Sequence, residues 1–185
     1  MSMIGGRVIP FFTQRGLLRK EGVTPWPKFD WALLMGTILV SITVMLGWAM
    51  ETNIIIGIAF AALGVGHLIR NLRWYDAGIW RVPLLWSLHL AHAWIGIACL
   101  AMALWHFSVL ANISIAVHAL TVGAMGGLIL GMIARVTLGH TGRQLAPPKV
   151  MTLAFILFTL GAVPRVLLFG WAYMPVYGLR RFVGD

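Results

Sequence analysis

From Val82 to Ala134 the chain carries no charged residue. A bilayer's hydrocarbon core takes ~20 residues of helix, so this run must cross more than once. The polar break at Trp105, His106 and Asn112 divides it into segments 83–105 and 111–134. Charges delimit the other apolar runs. Segment 31–50 lies between Asp30 and Glu51, and 52–69 ends at Arg70. Segment 150–170 is interrupted only by Pro164 and Arg165. Barrel strands alternate with period two, whereas these runs are continuous, so they predict helices. With 60% hydrophobic and 10% charged residues, the chain lies far below the ~25% charge of a soluble domain. The expected fold class is an all-α integral membrane protein: five transmembrane helices in an up-and-down bundle, with a partial sixth over residues 171–185. One membrane domain over 1–185 is expected, and residues 1–30 form its interfacial segment.

The formal charge of +9 is confined to segment ends. Residues 1–30 hold Arg7, Arg15, Arg19, Lys20 and Lys28, the next basic loop Arg70, Arg73 and Arg81, and the third Arg135, Arg143 and Lys149. The two remaining loops hold no Lys or Arg, which predicts a cytoplasmic N-terminus with Phe11, Phe12 and Trp26 at headgroup level. Only Arg180 and Arg181 run against this pattern. The basic charge therefore serves the lipid bilayer as partner, and nucleic acid is not implied. Residues 1–30 show no signal-peptide pattern. A lone cysteine, Cys99, rules out an internal disulfide and a Cys-only metal cage.

Five of the six histidines lie inside or beside apolar segments, and no carboxylate lies inside one. An ionisable side chain in hydrocarbon reads first as a site. Without carboxylates, proton pumping or proton-coupled transport is disfavoured. Neutral imidazoles point instead to metal ligation, above all of haem iron. At ~1.5 Å per residue, His67 and His89 fall at similar depth on consecutive helices, which predicts that they face each other. Arg70, Arg73 or Arg81 would then reach the propionates of a haem held there. His92 lies one turn beyond His89 and within two turns of the depth of His118, its predicted partner. Small residues on the stripe His89, His92, Gly96, Cys99 and Ala103 leave room for a flat macrocycle. Gly123, Gly127 and Gly131 form a packing stripe opposite His118. His106 reads as a wet boundary residue. Against all of this stands a plainer possibility: a membrane histidine can simply hydrogen-bond a neighbouring helix.

Three motifs, GGRVIPFFT (Gly5 to Thr13), PLLWSLHLAHAW (Pro83 to Trp94) and HALTVGAMGGLILGMIARVTLGHTGR (His118 to Arg143), resemble the NnrS family. That family comprises bacterial inner-membrane proteins containing haem and copper and associated with the response to nitric oxide. The resemblance runs from Gly5 to Arg143 and implies roles for His89, His118, His140, Arg135 and Arg143, with Arg7 in the first motif. His92 departs from an aromatic position of the family motif. Family members carry a further N-terminal half with a His-x-His motif. The resemblance therefore implies the family's C-terminal half only, as a short paralogue, a fragment, or a subunit completed by another chain.

The expected function is a haem-binding inner-membrane protein or subunit, with b-type haem and room for copper, handling nitric oxide or electrons. His67, His89, His92 and His118 are the candidate metal ligands, with Arg70, Arg135, His140 and Arg143 beside the cofactor. The alternative is an assembly subunit, packed by its glycine stripe into a homo-oligomer or against another membrane subunit.

Overall fold

The structure is a computed structural model that describes residues 2–20, 22, 24–141 and 147–172, with side chains for 5–20, 22, 24–141 and 147–166. Six helices account for it: α1 (Ser2–Gly16), α2 (Pro27–Met45), α3 (Ile54–Arg73), α4 (Pro83–His106), α5 (Ser114–His140) and α6 (Lys149–Ala172). No strand occurs among the described residues. Helices α2 to α6 are each long and apolar enough to cross a membrane. The fold is therefore an all-α membrane bundle with five candidate spans. Of the partial sixth helix expected over residues 171–185, residues 171–172 continue α6 and the rest lie outside the described residues.

Local chemistry sets the helix ends. Proline opens α2 and α4 in the first turn, where its missing N–H is not needed. The Asn53 side chain accepts from the N–H groups of Ile55 and Ile56 and caps α3. Gly47, at φ +77°, stops the chain after α2 in the left-handed conformation that glycine tolerates. Several helices run past the charges that delimited the sequence segments. Asp30 sits in the first turn of α2 and pairs with Arg70 near the end of α3 at 2.9 Å. Arg135 lies inside α5. A charge with a partner does not end a helix.

At the centre is α4, the most enclosed span. It meets α3 through two glycines. A Cβ on Gly64 would lie 3.0 Å from the Gly96 carbonyl, and one on Gly96 would lie 3.0 Å from the Gly64 carbonyl. On its other side α5 packs by its glycine stripe. A Cβ on Gly123, Gly127 or Gly131 would meet Trp94, Ala91 or Leu88 at 2.5, 2.8 and 2.9 Å. Such small residues let helices close without a hydrophobic driving force between them. The stripe reading thus holds, but the expected macrocycle space beside Gly96 does not. Leu68 and the Gly64 backbone fill it.

The N-terminal segment departs most from expectation. Instead of lying on the surface, α1 packs along α4, with Ile9 (1% exposed) in a core shared with Trp74, Leu88, Ile95 and Leu128. Gly5 and Gly6 permit the approach, since a Cβ on either would collide with His92 or Arg70.

Candidate functional site

Three buried histidines gather where α1, α3 and α4 meet: His67 (1% exposed), His89 (4%) and His92 (0%). The pairing differs from the one depth alone suggested. His67 meets His92, with ring centres 5.7 Å apart and nearly perpendicular. His89 turns instead to α1, where its Nε2 lies 3.0 Å from Thr13 Oγ1. Residues i and i+3 on a helix are close but not collinear. Here that offset sends His92 to α3 and His89 to α1. Trp74 closes the pocket, its ring centre 5.0 Å from that of His92.

Two threonines fix the histidine tautomers. The Thr13 hydroxyl donates to the Ile9 carbonyl at 2.8 Å, so its oxygen must accept from His89 Nε2–H. Thr37 donates to the Leu33 carbonyl at 2.7 Å and lies 3.4 Å from His67 Nε2. In both histidines the lone pair is thereby left on Nδ1. Those two Nδ1 atoms, and both ring nitrogens of His92, are buried without a hydrogen-bond partner. Buried polar groups are otherwise almost always satisfied, so this concentration of unpartnered nitrogens sets the cluster apart from ordinary packing. Among the described residues no three His, Cys, Asp or Glu converge on one metal position.

The other expected residues are spread out. Arg70 is buried, paired to Asp30, with its guanidinium 5.0 Å over the Trp74 ring. Arg73 is not at the cluster. It lies over Trp26 at 3.7 Å and donates to the Thr24 carbonyl. Arg81 ends the short 3-10 turn before α4 and is exposed. Arg7 is exposed and lines a pocket with Gly6, Asp30 and Arg70. Arg135 is buried with its guanidinium 3.5 Å over the Phe12 ring. His140 is exposed at the end of α5, and Arg143 lies outside the described residues. His106 is not wet: it is buried, accepts from the Asn53 N–H at 3.2 Å and stacks on Phe60.

His118 is set differently. It is half-buried and closes the first α-helical turn of α5, immediately before a π-helical stretch over Ala119–Gly126. Such wide turns recur at functional sites. Its Nδ1 lies 2.7 Å from the Ser114 carbonyl, so Nδ1 carries the proton and Nε2 the lone pair. Metal-bound histidines are commonly oriented this way, by donating the other ring N–H to a carbonyl. The expected His92 partnership is not formed, because the rings against His92 are those of His67 and Trp74.

Sequence reasoning missed Thr13, Thr37, Trp74 and the role of Gly5. The first motif held the signal for Thr13 and Gly5, whereas nothing local marks Thr37 or Trp74. The three motifs converge in space: Gly5 and Thr13 on His92 and His89, and Phe12 under Arg135.

No curated protein matches the chain, and no solved structure does. A family model described as NnrS protein matches residues 1–181, continuing well past Arg143 through the apolar C-terminal part. With that match spanning nearly all of its length, and with the three motifs folded onto one another, this chain belongs to the NnrS family.

Proposed function

We propose that this chain is a metal-dependent protein of the bacterial inner membrane that binds haem and handles nitric oxide or electrons, with its N-terminus in the cytoplasm. The observation that supports this is a set of four buried ring nitrogens without a protein partner: Nδ1 of His67, Nδ1 of His89 and both nitrogens of His92. Neutral nitrogen donors without a nearby carboxylate suit iron or copper.

The residues fit the two metals at different places. His67 and His92 touch at 5.7 Å and are at most 1% exposed, so they leave no slot for a macrocycle. That pair fits a bare ion, and a low-charge ion such as Cu(I) is the least costly to place among neutral ligands in a dry bundle. His118 fits haem. Its ring is oriented by Ser114, its lone pair is on Nε2, and it is half-buried. A haem held there would supply binding of a diatomic ligand or a one-electron couple. The protein's own part is to hold the His118 tautomer, to keep water from His92, and to place Trp74 and Arg70 beside the cluster.

A second reading, in which the histidines act as packing residues of an assembly subunit, is favoured by His106, whose ring stacks on Phe60 and accepts from the Asn53 N–H, while its Nε2 is buried without a partner like the nitrogens of the cluster. Metal analysis and visible spectra of the purified protein separate the two. His92→Ala should remove bound copper, His118→Ala should remove the haem Soret band, and His106→Ala should change neither. Wild-type protein without haem, iron or copper would leave the assembly reading.

A further inference from the structure

Arg135 is 7% exposed, and one of its guanidinium nitrogens, Nη1, is buried without a partner. The Phe12 ring, 3.5 Å away, covers the face of the guanidinium. A ring on the face does nothing for the N–H groups, which point outward in the plane. No carboxylate among the described residues is placed to help. Asp30 is taken by Arg70 and Asp76 by Arg19, while Glu51 lies between α2 and α3 at the other end of the bundle. Burying an unneutralised cation is unfavourable, so the described residues leave an anion to be supplied.

The same two helices carry an apolar groove of about 290 Å³. Gly5, Val8 and Ile9 of α1 line it, with Leu88 of α4 and Ile129 and Met132 of α5. Phe12 follows Val8 by one turn, and Arg135 follows Met132 by one turn, so the groove runs toward the buried cation. Arg135 lies five residues from the end of α5, or about 8 Å at 1.5 Å per residue. That is the depth at which headgroups meet acyl chains. Ile129, nearer mid-bundle, is half exposed on a face that a bilayer would cover.

We propose that the α1–α5 groove holds one anionic phospholipid, with an acyl chain against Gly5, Val8 and Ile129 and its phosphate on the in-plane N–H groups of Arg135. Arginine's planar fork matches phosphate, and basic pockets between spans are suited to anionic headgroups. The lipid clamps α1 against α5 and supplies the countercharge that the described residues lack.

The test is native mass spectrometry of the full chain released from nanodiscs of phosphatidylglycerol, of phosphatidylcholine, or of both. Wild-type protein should retain phosphatidylglycerol selectively, and added inorganic phosphate should not displace it. Arg135→Gln should weaken retention by roughly tenfold or more, and Arg135→Lys should restore part of it. Ile129→Trp, which fills the groove and leaves the cation in place, should also displace the lipid. Equal retention of both lipids by the wild type, or undiminished retention in both Arg135→Gln and Ile129→Trp, would overturn the proposal. So would an Arg135→Gln variant that loses haem absorbance and keeps its lipid, since the anion on Arg135 would then be a haem propionate. Metal content, read separately, shows whether the histidine assignments stand or fall independently.

Discussion

At the scale of single residues, what distinguishes this chain is imidazole held in one tautomer by hydroxyls and carbonyls that have no other choice. A threonine in a helix gives its proton to the carbonyl four residues back, which turns its oxygen into an acceptor for the histidine beside it. Gly5 shows how tight the cluster is. A Cβ there would stand 2.9 Å from His92 Nδ1, and His92 cannot retreat because His67 and Trp74 enclose it. Overpacking of this kind costs about 1–3 kcal/mol, whereas the better helix propensity of alanine returns up to about 1 kcal/mol. Gly5→Ala should therefore destabilise the protein by roughly 1 kcal/mol net and lower its metal content, read as a fall in melting temperature and in bound copper. Gly161→Ala, where nothing lies within 4 Å, should lower neither. On the loop surface, the Arg19 guanidinium hydrogen-bonds Asp76 at 2.9 and 3.0 Å. That bond, followed by one from the Gly78 N–H, holds the Asp76 carboxyl below its ordinary range. A carboxyl depressed in the folded state contributes stability above its unfolded pKa and loses it as pH falls through the folded value. Arg19→Ala should move the Asp76 titration upward, though not fully to the ordinary value because Gly78 still donates. Carboxyl-carbon NMR against pH checks this.

At the scale of elements, α5 joins two different tasks. Its glycines bring it against α4, and its π-helical stretch Ala119–Gly126, which includes Gly123, lies between His118 and Gly127. Gly127→Leu would drive a side chain into Ala91, whose Cβ would lie 2.8 Å from the first added carbon. It should cost about 3 kcal/mol or more and loosen the contact of α4 with α5. Ile133→Ala, on the 60% exposed face of the same helix, should stay within about 0.5 kcal/mol of wild type. Thermal unfolding in detergent, with the two variants side by side, reads the difference. Equal melting temperatures would show that the stripe is not a packing surface.

At the scale of the whole molecule, the basic ends of the spans and the placement of α1 decide the topology. The ends of α3 and α5 and the starts of α2, α4 and α6 gather Arg70, Arg73, Arg81, Arg135 and Lys149 on one side of the bundle. Positive-inside bias predicts that this side is the cytoplasmic one. In a Cys99→Ala background, a cysteine at Gly22 should label with impermeant maleimide only in opened cells, and one at Asn112 should label in intact spheroplasts. The reverse pattern would invert the orientation.

Much of the fold was legible in the chain itself. Continuous apolar runs in hydrocarbon admit helices and nothing else, because every backbone N–H must be satisfied within the segment. The glycine spacing 123, 127, 131 marked a packing face of α5 in advance, though not that α4 is the helix it meets. What sequence periodicity could not supply was helix rotation about its axis and the place of α1. Depth paired His67 with His89, but a step of three residues on α4 sends His92 to α3 and His89 to α1. The surface reading of residues 1–16 failed because two glycines and Ile9 suit a buried face only once α4 is there to receive them. The helix ends slipped past Arg70 and Arg135 for the same reason. A charge breaks an apolar segment in isolation, but Asp30 and Phe12, distant in sequence, make those positions tolerable in the bundle. Local sequence fixes what each segment can be, because backbone satisfaction and hydropathy are properties of the segment. Which side chains meet is a property of the packed whole, decided only when the helices close on one another.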